Sequence, residues 1–172
     1  MIPPELLQTL MQAIVLYRVE KGFEPASWHT AGARFACIAA EIWEVEEAIG
    51  EEDMQHVRDE LAGVAMYILG TQIDLGIAPG TARTSLMRRV RRHASPAEIT
   101  SVLREHWRAA FESWRKHDTK DTTVSLDILL AAVFHIRNNV LKLPGSLVED
   151  CLACLAAGAE RPWRHGNKHP LT

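Results

Sequence analysis

At 172 residues, 47% of them apolar and 24% charged, the chain is long enough for one domain with a real core and has an ordinary globular profile. A net charge of −3 gives no general attraction to nucleic acid or acidic membranes, and no run approaches the roughly 18 consecutive apolar residues of a membrane span. The start MIPPELLQTL lacks a signal peptide's basic-then-apolar order and three cysteines do not make a secreted disulfide framework, so a cytoplasmic location is expected.

Residues 4–19 read as a first helix, with Leu6, Leu10, Ile14 and Tyr17 on one face and Pro3 and Pro4 at its start. The stretch KGFEPASWHTAG is then a loop that carries Lys21, Trp28 and His29. Trp28 either caps the core or stacks on a nucleobase, a contact worth about 1–3 kcal/mol.

Residues 37–70 carry the two patterns around which the chain is organised. Ile38, Ile42, Val45 and Ile49 stack on one face of a helix, and Val57, Leu61, Val64, Ile68 and Leu75 on one face of the next. Gly50 suits a left-handed helix stop, and Glu51, Glu52 and Asp53 suit a new helix start, so the pair must fold back as an antiparallel hairpin. At 100° per residue, Glu41 and Glu60 each lie about 60° off the centre of their stripe in the same sense. They stand nine residues before and ten after Gly50, which puts both at one level on the same flank, with Glu44 a turn away. Three carboxylates at a core margin repel one another and lose hydration, at a cost of several kcal/mol per uncompensated charge. A divalent cation removes that cost, and oxygen-only ligands favour Mg²⁺ or Mn²⁺. The structural alternative is a solvated acidic face whose glutamates pair with Arg58 or Lys21.

Downstream, IAPG at 77–80 is a break, and a basic helical piece follows with Arg88, Arg89, Arg91 and Arg92. Helices are predicted over 96–116, started by Ser95, Pro96 and Glu98, and over 124–142, joined by the polar link KHDTKDTT. A last helix spans 146–158. Cys151 and Cys154 with His165 and His169 have zinc-like spacing, but the cysteines sit in an apolar run and read as small buried residues. Arg-Val-x5-Pro recurs at 18–25 and 89–96, an echo that makes 81–172 a candidate degenerate repeat of 1–80 within a single domain of 1–172. The fold expected is all-α, a bundle of about five helices built around the antiparallel acidic hairpin.

Glu41-Ile-Trp-Glu44 with Glu47 one turn on, a short acidic link, and Asp59-Glu60-Leu-Ala-Gly63 resemble the MazG-like all-α nucleotide pyrophosphohydrolases, whose motif is E-x-x-E, a spacer, then E-x-x-D. The resemblance implies Mg²⁺-dependent hydrolysis of a nucleoside triphosphate between its α and β phosphates, dGTP or another deoxynucleotide being a candidate. Glu41, Glu44 and Glu60 would be metal ligands and Glu47 the carboxylate that helps deprotonate the attacking water. Arg161-Pro-Trp-Arg164-His165-Gly-Asn-Lys168 is similar to the basic end of short family members, which adds Arg161, Arg164 and Lys168 to Lys21 as phosphate-binding candidates. Relatives use dimers or tetramers to complete the site, so the resemblance implies a homo-oligomer, and the charge balance leaves no nucleic-acid or membrane partner expected. Gly63 stands where the family has its aspartate, so the resemblance also admits a degenerate member that binds a nucleotide or a protein without turnover.

Overall fold

The computed structural model describes residues 4–78 and 94–160, and every regular element in them is helical. The six helices are α1 (Pro4–Glu20), α2 (Gly32–Gly50), α3 (Met54–Asp74), α4 (Pro96–Arg115), α5 (Thr119–His135) and α6 (Leu147–Glu160), and α5 runs on into a single π-turn over Ile136–Val140. Among the described residues no helix is long and apolar enough to cross a membrane. Arg88, Arg89, Arg91 and Arg92 lie outside the described residues, as do Arg161, Arg164 and Lys168 of the tail.

α2 and α3 form the expected antiparallel hairpin. Ile38, Ile42 and Val45 meet Val57, Leu61, Val64 and Ile68 in a fully buried seam. Each large apolar side chain removed from water stabilises the fold by about 1.5–3 kcal/mol, so this seam dominates the local energetics. On α1, Leu10 and Ile14 are buried as predicted, whereas Leu6 is 45% exposed and the partly buried Leu7 packs on the core instead.

The turn differs from its sequence reading. Gly50 is the last residue of α2, and the left-handed conformation falls on Glu52, with φ 59°. The Glu52 and Asp53 N–H groups donate to the carbonyls of Ile49 and Ala48, both at 3.2 Å, which closes the helix as a Schellman motif. Asp53 then caps α3 by accepting from the N–H groups of Gln55 and His56. The same turn joins α4 to α5. His117 has φ 56°, Asp118 N–H donates to the Ser113 carbonyl, and the Asp118 side chain accepts from Asp121 N–H. That cap starts α5 at Thr119, so most of the stretch expected to be a link is its first turn. The two prolines of the sequence echo fall at different places in the fold: Pro25 sits in the loop before α2, whereas Pro96 opens α4.

The hairpins pack against each other, α2 on α4 and α3 on α5. Ser95 and Glu98 form the capping box that begins α4, as predicted. α1 and α6 pack on each other and on α3, and so enclose a space beside the acidic hairpin.

Candidate metal and ligand site

Glu41 of α2 and Glu60 of α3 meet on one flank of the hairpin, and Glu44 joins them from the next turn. Each offers an oxygen, and the three oxygens lie within 4.8 Å of one another. Glu41 and Glu60 are partly buried and Glu44 is exposed, so the cluster has a dry side and a wet side. It is the one group of this kind among the described residues. Burial first, then the charges of Glu60 and Glu44, push the Glu41 carboxyl up to about 8. Burial also raises Glu60, as do a hydrogen bond and the charge from Glu44, against the lowering influence of its bond to Glu41 and of His56. His56 Nε2 lies 3.0 Å from Glu60 Oε1. At neutral pH the cluster therefore holds a proton in place of full charge. Oxygen-only donors and a proton that a cation can displace fit Mg²⁺ or Mn²⁺.

Gly63 is part of this geometry. A Cβ there would stand 1.9 Å from Glu41 Oε2, so the Glu41 carboxylate occupies the place that a side chain at position 63 would take.

The cluster borders a cavity of about 350 Å³ between α1, α2, α3 and α6, within the size range of small-molecule pockets. Its lining is divided. Glu41, Glu44, Asp59 and Glu60 supply negative charge, and Arg18 and Arg34 positive charge, with Tyr17, Phe23 and Tyr67 as aromatic walls. Arg18 Nη2 donates to both oxygens of Asp74, at 2.7 and 2.8 Å, and its Nη1 to the Gly70 carbonyl at 3.2 Å. Arg34 Nε donates to Asp74 Oδ2 at 3.0 Å, and its guanidinium lies 5.6 Å over the Phe23 ring. The last turn of α1, the first of α2 and the last of α3 come together at one end of the bundle, which is what sets two guanidiniums on one buried carboxylate.

The other sequence candidates sit elsewhere. Glu47 is exposed and is not among the described lining residues. Lys21 Nζ donates to the Ala159 carbonyl at 2.6 Å. Trp28 and Trp114 exchange indole N–H bonds to each other's carbonyls, at 3.2 and 2.7 Å, and Trp28 stacks on His117, so Trp28 caps the core rather than facing the cavity. Arg58 donates to Asp150 and Gln55, not to the acidic triad. Burial raises the thiol of Cys151, which is a small buried side chain, whereas Cys154 is only partly buried, lines the cavity, and has its thiol lifted to about 11. Sequence reasoning missed Arg18, Arg34 and Asp74 as a unit. The available signal was charge at helix ends, basic in the last turn of α1 and acidic at the last residue of α3.

Compared with known protein families, curated proteins and solved structures, the chain matches none.

Proposed function

We propose that the chain is a metal-dependent (deoxy)nucleoside triphosphate pyrophosphohydrolase, cleaving between the α and β phosphates to give a monophosphate and pyrophosphate. The observation that carries the reading is the convergence of Glu41, Glu44 and Glu60 at the edge of a cavity that also has a cationic end. The resemblance of these residues to the MazG-like motif supports it. Those three carboxylates would hold Mg²⁺, with Mn²⁺ as a substitute. When bound, the cation offsets phosphate charge and makes phosphorus more electrophilic. In the reaction a water oxygen forms a bond to the α phosphorus, and the bond from that phosphorus to the bridging oxygen breaks, releasing pyrophosphate. Asp59 lines the cavity beside Glu60 and is assigned the water's proton; Glu47, exposed like Asp59, is not among the described lining residues.

The test is pyrophosphate release from a panel of ribo- and deoxynucleoside triphosphates with Mg²⁺ or Mn²⁺, beside Glu41→Gln and Glu60→Gln. Metal-dependent turnover that both substitutions abolish is the expected result. No turnover on any nucleotide would defeat the enzyme reading.

Gly63 favours a second reading, a nucleotide- or protein-binding module that has lost turnover with the motif aspartate. Gly63→Asp separates the two: a large gain in hydrolysis supports lost activity, and a fully active wild type removes that reading.

A further inference from the structure

Resting on the reading of Glu41, Glu44 and Glu60 as a metal site, we propose that Arg18 and Arg34, clamped on Asp74, form an anion subsite. It takes the terminal phosphate of a substrate whose inner phosphates lie at the glutamates.

Charge is the first argument. Arg18 and Arg34 are the only cationic side chains among the described lining residues, whose other charged members are four carboxylates. Two guanidiniums on a single carboxylate leave one positive charge uncompensated. The side chains of Arg18, Arg34 and Asp74 are 12%, 16% and 2% exposed, so that charge is poorly hydrated, and with a cation offsetting the carboxylates at the other end of the cavity it attracts an anion.

Spacing is the second. Glu41 Oε2 stands 1.9 Å from the Cβ position of Gly63, and Arg18 Nη1 stands 3.6 Å from that of Gly70. These positions are two helical turns apart, about 10 Å along α3. A cation shell of about 2 Å and a charge-assisted hydrogen bond of about 3 Å leave roughly 5 Å between them. That span suits linked phosphates and is too short for a whole nucleoside. Order is the third argument: Asp74, the Gly70 carbonyl and the Phe23 ring hold both guanidiniums in place before a ligand arrives, so little entropy is lost on binding.

The experiment titrates wild type, Arg34→Gln and Arg34→Lys with three probes: Mn²⁺ alone, inorganic tripolyphosphate with Mg²⁺, and a panel of nucleosides lacking phosphate. Melting curves without ligand check that each variant folds. The lysine keeps a cation on Asp74 and serves if the glutamine variant is unfolded. Mn²⁺ affinity should change less than about threefold, while tripolyphosphate affinity should fall about tenfold or more in Arg34→Gln and several-fold in Arg34→Lys, which cannot bridge carboxylate and phosphate. Tripolyphosphate binding that is absent in wild type, or equal in all three proteins, overturns the subsite. A loss confined to nucleosides also overturns it and makes the pair a reader of the base edge. Failure of wild type to bind Mn²⁺, with Arg34-dependent tripolyphosphate binding retained, would sink the metal reading and leave the anion subsite standing.

Discussion

The carboxylate of Glu41 fills the space over Gly63, where a Cβ would stand 1.9 Å from Oε2. The obstructing atom is the tip of a flexible side chain, so a residue at 63 displaces Glu41 and leaves the backbone in register. Gly63→Asp brings a fourth carboxylate to a cluster already short of hydration. Without metal at pH 7.5 the variant should melt several degrees below wild type, even though replacing a mid-helix glycine removes a propensity cost of under about 1 kcal/mol. With Mg²⁺ the order should reverse, because the added ligand binds the cation more tightly. Melting curves in EDTA and in Mg²⁺ check both halves, and a variant that no longer responds to Mg²⁺ would mean that the glycine itself is required.

Glu41 also sets a pH dependence. Its carboxyl is raised from an ordinary 4.5 to about 8, so the folded state holds a proton that the unfolded chain releases at lower pH. The stability contributed is fully present below pH 4.5 and is lost as pH climbs towards 8. The metal-free protein should therefore lose stability across that interval, and Glu41→Gln should flatten the slope. A cation competes with the same proton, so Mn²⁺ affinity should rise about tenfold per pH unit up to roughly 8 and then level off. Calorimetric titrations between pH 5.5 and 8.5 measure this, and an affinity independent of pH would exclude Glu41 as a ligand.

The acidic hairpin was legible in the chain because two local quantities determine it. The apolar period sets the angular offset of Glu41 and Glu60, and the short connection sets their level. The cationic end was not legible for the opposite reason. Arg18 and Arg34 meet Asp74 across 56 and 40 positions, Arg18 through the packing of α1 on α3 and Arg34 through that of α2 on α3. The turn after α2 departs from the usual residue preference: the left-handed residue is Glu52 and not Gly50, and it is followed directly by the capping Asp53, as His117 is by Asp118 at the turn after α4. Likewise the partner that places Trp28 in the core is Trp114, 86 positions away, which no local pattern reveals.

Away from the cavity, Arg137 and Asp150 form an internal tie. Both side chains are at most 1% exposed, and Arg137 Nε donates to Asp150 Oδ2 at 2.7 Å. The remaining guanidinium nitrogens donate to the carbonyls of Leu143, Pro144 and Gly145, which fixes the connection from the π-turn to α6. Asp150→Ala strands the buried guanidinium and leaves Arg58 without its main partner. A loss of about 3–5 kcal/mol in urea unfolding is expected, since breaking a buried pair costs more than forming it contributes. Mn²⁺ affinity under native conditions should stay within a few-fold of wild type, because the tie does not touch Glu41, Glu44 or Glu60.

Trp28 tests where the boundary between core and site runs. Its indole N–H and carbonyl are both bonded to Trp114, and Gly32 admits that neighbour: a Cβ at 32 would stand 3.1 Å from the Trp114 ring. Trp28→Phe keeps most of the packing area and removes the N–H donor, leaving the Trp114 carbonyl one bond short. The expected cost is about 1–2 kcal/mol, from one partly buried hydrogen bond and some lost stacking on His117. A base stacked on Trp28 would instead show as weaker nucleotide binding at little cost in stability. Because the Trp28 ring is engaged by α4 and does not line the cavity, stability should fall while nucleotide affinity holds. Thermal melts beside a titration with a non-hydrolysable triphosphate distinguish the outcomes, and a tenfold loss of affinity in a normally stable variant would return Trp28 to the ligand site.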